Sequence, residues 1–472
     1  MEVSRCFFLF VLLGIVVNSL GEKSVESAPF GRKMLPYFMM AKGFTNMNHG
    51  SFGSPPRVVI EAQRRYQDEC EAMPDNWFRG GYESYLVTVR QELASYLSTN
   101  ASDLVLVENA SSGMSAVFRS FNFQPGDVLL ELSTAYPMVN NTFSWLTGFE
   151  GVVVEQVPVL FPGNGATPVG MNGESLVDAV TAAINAWGGR VKLASFSQVE
   201  SSPPVIYPVA DLATACKALG VSVLVDGAHA LGHIPVNLTQ LQMAGVDYWV
   251  GNGHKWLYSP KGSAVLWVTP LRTTEENTLT QEVVVPTVIS SAFLTGVIPW
   301  GSDFQNRFQY TGTRDYTPFC AMSEAIAFRT AVGGDDAIIP YIHNLAVWAQ
   351  HYLANLWQTE VLLPDSMTGM MAYVRIPNGP LAALSNLRLN LMLNYNIETV
   401  VLNMIGLTPP GSGYVVNSFQ TQNLGTLTWW FRLSAQIYLE EADFVRLGSA
   451  VMTLLNITTT TGSAFASDAL VL

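Results

Sequence analysis

Short apolar runs and amphipathic stretches alternate along the chain from Asp103 onward. The apolar runs Leu104–Glu108, Val128–Leu132, Val152–Val159, Lys192–Phe196, Val221–Val225, Tyr248–Gly251 and Ala264–Val268 have the length of buried strands. Between them, Val139–Leu146, Glu174–Ala186 and Val209–Leu219 carry apolar residues at helical spacing. Strands alternating with helices predict an α/β domain built on a mainly parallel sheet. Two polar helices are expected before it, near Arg57–Glu71 and Glu83–Leu97. Leu271–Thr311 reads as a long irregular stretch, and such stretches in compact domains are usually functional. A mostly helical region with a few strands follows. The expected organisation is a segment over residues 22–56 packing on a small domain, a large domain over 57–312, and the small domain over 313–472. There are no internal repeats, and Thr458–Thr461 is a tail feature without a clear meaning.

The extreme N-terminus is a separate object. Cys6–Val17 is continuously apolar except for Gly14, follows one basic residue, Arg5, and precedes small residues at Ser19 and Gly21. This is the pattern of a secretory signal peptide over residues 1–21, too short to span a bilayer comfortably. Secreted or lumenal protein is expected, with sequons at Asn100, Asn109, Asn140, Asn237 and Asn456 as glycan acceptors. No later window is apolar and long enough to predict a membrane span.

At 472 residues, 49% hydrophobic and 13% charged, the chain can bury a large core. The formal net charge of −13, with no Lys/Arg run, argues against nucleic-acid binding. Of the four cysteines, Cys6 lies in the signal segment. Cys70, Cys216 and Cys320 are widely separated and read as buried thiols rather than a disulfide framework.

The candidate chemistry is concentrated in VLVDGAHALGH and VGNGHKWLYSPKGS. One apolar run ends on Asp226, and a second ends on Asn252, Gly253, His254 and Lys255. Both polar clusters stand at carboxyl ends of predicted strands, the edge where open α/β sheets bind ligands. A lone aspartate there is usually a turn or helix cap, and a lone lysine is usually solvated. Together in an apolar setting, they suit pyridoxal 5'-phosphate. The lysine amine forms a Schiff base with its aldehyde, and the carboxylate keeps its ring nitrogen protonated. No metal site is expected. Upstream, Asn109-Ala-Ser-Ser-Gly113 joins a strand to an apolar helix, Met114–Phe121. Free amides of Ser111, Ser112 and Gly113 at a helix start would hold a phosphate; the plain alternative is an N-cap by Ser111 or Ser112.

These motifs, with NHGSFG at Asn48–Gly53 and GTRDYTP at Gly312–Pro318, resemble the class V, fold-type I aminotransferase family. The likeness is greatest to its isopenicillin N epimerase-like branch and runs from about Met47 to the C-terminus. It implies a fold-type I large domain with a seven-stranded, mainly parallel sheet and a smaller α+β C-terminal domain. It implies that Tyr136 stacks on the cofactor ring. Gln198, standing where the epimerase branch has histidine, or Ser201 would contact the ring oxygen. His229 would bond the ring oxygen or the carboxylate network, and His254 and Asn252 would reach the phosphate. Thr313 would reach the phosphate of the partner subunit's cofactor, which implies a homodimer with shared sites. Arg314 has the plainer reading of a local ion pair with Asp315.

Arg432 lies inside the apolar run Trp429–Ser434, and a buried arginine fork matches a carboxylate. The resemblance assigns it the α-carboxylate of an amino-acid substrate, with Asn48 and His49 lining the same pocket. Lys255, displaced by the substrate amine, would then remove the Cα proton, while the ring held by Asp226 accepts the charge. Epimerisation or transamination would follow, or β-elimination by a C–S lyase. Desulfuration through a mobile cysteine is disfavoured, because no cysteine follows Cys320. A secreted binding module that keeps the fold without turnover is the alternative of another class, and the intact Asp226, Lys255 and Arg432 argue against it.

Overall fold

The computed structural model describes residues 30–269, 272–273, 279–280, 283–290, 302–405, 415–416 and 427–457. The expected signal peptide, the threonine run and much of Leu271–Thr311 lie outside the described residues.

Seven strands form the central sheet: β1 (Leu104–Val107), β2 (Val128–Leu132), β3 (Val153–Val157), β4 (Val191–Ser197), β5 (Ser222–Asp226), β6 (Tyr248–Asn252) and β7 (Ala264–Val268). Their order is β1-β7-β6-β5-β4-β2-β3. Neighbours pair in parallel except β7, which runs antiparallel to both β1 and β6. Every residue of β1, β2, β6 and β7 is buried. Burial on both faces explains why these strands read as continuous apolar runs rather than alternating ones.

Helices α1 (Arg57–Ala72) and α2 (Glu83–Leu97) precede the sheet, and α3 (Ala110–Ser120), α4 (Pro137–Glu150), α5 (Leu176–Ala186), α6 (Val209–Ala218) and α7 (Leu238–Ala244) connect its strands. Two local expectations are corrected. Helix α3 begins at Ala110, not Met114, because Asn109 caps it by accepting the Ser112 amide. Within the stretch expected to be irregular, Asp303–Phe308 is a helix started by a capping box of Ser302 and Gln305.

The C-terminal part contains α8 (Asp335–Trp357), β8 (Met371–Arg375), β9 (Val400–Ile405), β10 (Leu427–Ser434) and α9 (Glu441–Leu455). Its antiparallel sheet has the order β8-β10-β9. The N-terminal segment joins this part. Thr45–Asn46 pairs in parallel with Ile397–Glu398, and the Met47 carbonyl accepts the Ser434 amide at 2.7 Å. Met322–Ala331, beyond the expected domain boundary at 312, packs on α1 and α2.

Candidate active site

Parallel pairing brings the carboxyl ends of β4, β5 and β6 to one edge. Ser197 is in register with Asp226, and Asp226 with Val250. Above that edge is a cavity of about 180 Å³, and Ser111, Tyr136, Ser201, Asp226, His229 and Lys255 all line it. The clustering of acid and lysine expected from sequence is therefore present.

Lys255 Nζ lies 2.9 Å from His229 Nε2. Burial pushes the lysine pKa down to about 7; the Asp226 charge opposes this, and Arg432 reinforces it. The buried His229 is pushed well below its ordinary value, mainly by desolvation and then by Lys255. Its Nδ1 accepts from Trp256 Nε1 at 3.4 Å, so the neutral ring carries its proton on Nε2 and donates it to the amine. Asp226 Oδ1 accepts the Ala228 amide at 2.9 Å, while burial raises its pKa.

The anion cup is narrower than expected. The Ala110 amide donates to Asn252 Oδ1 at 2.8 Å, the Ser112 amide to Asn109 Oδ1 at 2.9 Å and the Gly113 amide to the Asn109 carbonyl at 3.2 Å. Ser111, Asn252 and His254 line the cavity. Ser112 instead faces a neighbouring cavity of about 490 Å³, together with Arg314. Gly113 has a packing role: a Cβ there would stand 2.6 Å from Val250 Cγ2, so glycine lets α3 lie close on β6.

Gln198 does not reach the cavity. Successive strand residues point to opposite faces, so with Ser197 on the cavity side Gln198 is turned away. There its Oε1 accepts from Trp249 Nε1 at 2.8 Å. Ser201 lines the cavity, but Arg432 Nη1 donates to both its hydroxyl at 2.9 Å and its carbonyl at 3.0 Å. Tyr136 lines the cavity at the start of α4 and is partly exposed. Thr313 lies on the surface and bonds the Tyr310 hydroxyl at 2.8 Å. Arg314 pairs with Glu108 rather than Asp315, whose Oδ1 instead accepts the Thr317 amide at 2.8 Å.

Arg432 is buried on β10, and no ion pair to it is found among the described residues. Besides Ser201 it donates from Nη2 to Asn48 Oδ1 at 3.0 Å and Ser51 Oγ at 2.5 Å. Its buried Nε has no acceptor. Burial pushes its pKa down to about 10, yet it stays charged at neutral pH. A buried cation without a counter-charge favours an incoming anion. Asn48 thus belongs to this wall, but His49 does not. Its ring lies behind the lysine turn, 2.9 Å from the Lys255 carbonyl and 3.0 Å from the Tyr438 hydroxyl.

Glu200, Ser51 and Ser197 line the cavity and were not among the expected residues. Ser51 sits in the NHGSFG motif, which could have signalled it. Glu200 carries no periodic or spacing signal. Among the described residues, no group of three or more His, Cys, Asp or Glu side chains could hold a metal ion. None of their helices is long and apolar enough to cross a membrane. The set present fits pyridoxal phosphate: a lysine amine with a lowered pKa, a buried aspartate and Ser111 at a helix start line one cavity, and an unmatched arginine stands behind its Ser51 and Ser201.

Comparison with known proteins gives a consistent picture. The family model described as aminotransferase class-V matches residues 48–378. The chain is 32% identical over 457 residues to an L-cysteine desulfhydrase-like protein of Epichloe uncinata, covering 90% of this chain and 95% of that one. It is 28% identical over 421 residues to isopenicillin N epimerase of Streptomyces clavuligerus, covering 86% and 94%. The solved complex of a cystine C–S lyase with cysteine persulfide superposes with a TM-score of 0.65 at 16% identity, covering 86% of this chain and 97% of that one.

Proposed function

Since the chain belongs to the class-V aminotransferase family, whose cofactor is pyridoxal phosphate, we propose that it breaks the Cα–H bond of an amino acid and expels a sulfur substituent from Cβ. The observation that carries the reading is Lys255, a base held at about 7 in a cavity whose wall residues Ser51 and Ser201 are bonded by the unmatched Arg432. Bound pyridoxal phosphate supplies the electron sink for charge left at Cα. Arg432 binds the substrate carboxylate through a fork already oriented by Asn48, Ser51 and Ser201. Lys255 takes the Cα proton in its neutral form, and His229 orients the amine. Asp226, fixed by the Ala228 amide, would hold the protonated ring nitrogen, and Ser111 with Asn252 and His254 would hold the phosphate.

Elimination is favoured over a cysteine-nucleophile route, because Cys216 and Cys320 are buried away from the cavity and Cys70 lies on α1. The naming of several relatives for cysteine desulfhydrase or sulfoxide lyase activity supports the same outcome. The isopenicillin N epimerase relative makes epimerisation the second reading. The test is a panel of L-amino acids scored for racemisation, keto-acid formation and sulfur release. Sulfur release with keto acid is the expected result; racemisation alone would overturn elimination. Borohydride reduction of holoenzyme is expected to fix the cofactor to Lys255, and label on any other lysine would move the site.

Secretion and dimerisation belong to the same proposal. The apolar segment Cys6–Val17 supports entry to the secretory pathway. The surface position of Thr313 beside the Arg314-lined cavity supports a homodimer in which it reaches the partner's site. Light scattering tests the second, and N-terminal sequencing of protein from a eukaryotic secretory host tests the first.

A further inference from the structure

We propose that Glu200 is a catalytic acid of this site, giving up the proton that a departing β-sulfur requires. The inference rests on the elimination reading above.

Glu200 follows β4 on a tight return. Its amide donates to the Val205 carbonyl at 2.9 Å, and Val199 bridges Ile206. Its side chain is 2% exposed yet lies on the cavity wall with Asp226 and Lys255. Glu200 Oε1 accepts the Ser201 amide at 2.7 Å, and the Ser197 side chain also bonds the carboxyl. The next residue, Ser201, is held by Arg432. The carboxylate anchor on β10 is therefore bonded to the short loop that carries this acid. A substrate whose carboxylate bound Arg432 would be held beside the loop that carries Glu200 into the cavity.

The groups facing Glu200 are Asp226 on β5, Glu131 on β2, Tyr207 on the returning part of the loop, and Lys255 after β6. Asp226 and Glu131 disfavour its ionisation, and a protonated Lys255 favours it. No ion pair to Glu200 occurs among the described residues. Desolvation, reinforced by Asp226 and Glu131 against the hydrogen bonds from Ser201 and Ser197, raises its pKa to about 8. At neutral pH it is a neutral acid, poised to donate.

The step balances. Lys255 removes the Cα proton, and the electron pair left there forms the Cα–Cβ double bond. The Cβ–S bond breaks with its pair on sulfur. Glu200 protonates that sulfur and is left as a carboxylate on the Ser201 amide and Ser197 hydroxyl. The proton held on Lys255 replaces the one given up, so no oxidant or reductant is needed.

The experiment uses holoenzyme, Glu200→Gln and two substrates. S-methyl-L-cysteine expels a thiolate that needs a proton. β-Chloro-L-alanine expels chloride, which does not. The variant keeps an oxygen for the Ser201 amide. The expected result is a loss of about 100-fold or more on S-methyl-L-cysteine, with a few-fold change at most on β-chloro-L-alanine. Cα–H exchange in deuterium oxide should persist on both. In the unmutated enzyme, the ratio of the two rates should fall as pH rises through about 8, a readout independent of how the variant folds. Equal losses on both substrates, no loss on either, or a pH-independent ratio would overturn the role of Glu200. Exchange without elimination from either substrate in the unmutated enzyme overturns the elimination reading and this role with it. No exchange with any amino acid overturns instead the assignment of Lys255 as base.

Discussion

The imidazole of His49 hydrogen-bonds the backbone carbonyl of Lys255 at 2.9 Å, across 206 residues of chain. Burial holds the ring at about 3, so it is neutral at ordinary pH. It donates from Nε2 to Lys255 and accepts the Tyr438 hydroxyl on Nδ1 at 3.0 Å. His49→Ala leaves the Lys255 carbonyl without this donor and the Tyr438 hydroxyl proton without its acceptor, although Asn46 still donates to that hydroxyl. We expect a loss of about 1–3 kcal/mol in apoprotein stability, read from the denaturant midpoint. A change below about 0.5 kcal/mol would show that water replaces the ring without cost.

Arg432→Lys replaces a planar fork by a point charge. The four donor contacts to Asn48, Ser51 and Ser201 cannot all be kept. The expected outcome is an apparent KM raised by about 10-fold or more, with a smaller change in kcat. Steady-state kinetics on the best amino acid from the panel checks it. An unchanged KM would move the carboxylate site elsewhere.

Gly53 packs against the lysine turn. Its φ is +66°, and a Cβ there would stand 1.7 Å from the His254 carbonyl oxygen. Gly53→Ala therefore combines left-handed strain with a backbone clash that must displace the turn next to Lys255. We expect a stability loss of about 2 kcal/mol or more and weaker cofactor retention, measured by thermal melting and by the absorbance of dialysed holoenzyme.

His233 Nε2 accepts the Met370 amide at 2.5 Å, and protonating that nitrogen forfeits the bond. Burial lowers its pKa to about 3. The folded value lies below the unfolded one, so the contribution is present above about pH 6.5 and is lost as pH falls toward 3. Glu131 and Glu200, raised to about 7 and 8, act in the opposite sense, so a single stability profile mixes both. The difference between unmutated protein and His233→Gln isolates the histidine. It should shrink as pH is lowered from about 7 to about 4; a constant difference would contradict a neutral buried His233.

Glycan placement follows from exposure, since Asn109, Asn140 and Asn237 are half-buried. Asn109 Oδ1 caps α3 and Asn237 Oδ1 caps α7, each accepting at 2.9 Å. In the amide orientation that satisfies both ends, Asn140 donates to Glu131 Oε2 at 2.9 Å. Asn100 and Asn456 are exposed. In secreted protein, peptide mapping should find glycans at Asn100 and Asn456. A glycan at Asn109 in cofactor-loaded enzyme would contradict the helix-start cup.

Strand positions were legible because strands buried on both faces must be apolar throughout, and Val128–Leu132 and Ala264–Val268 match the observed limits. Asp226 and Lys255 were legible because polar residues end such runs only where the chain leaves the core. Helix α3 was misjudged at its start because a cap depends on side-chain geometry, here Asn109 Oδ1 to the Ser112 amide, which composition does not reveal.

The sequence by itself determined the sheet, the lysine with its acid at the ligand-binding edge, and the arginine inside an apolar strand. All three are local patterns of burial. The tertiary structure alone decided the rest. It set which face of β4 looks into the cavity, sending Gln198 to Trp249 and leaving Ser197 at the site. It brought Asn48 to Arg432 across 384 residues and His49 behind Lys255. It also turned an unremarkable acid, Glu200, into a protonated one. Charge state and direction depend on desolvation and on neighbours from other elements, and neither is written in the order of residues.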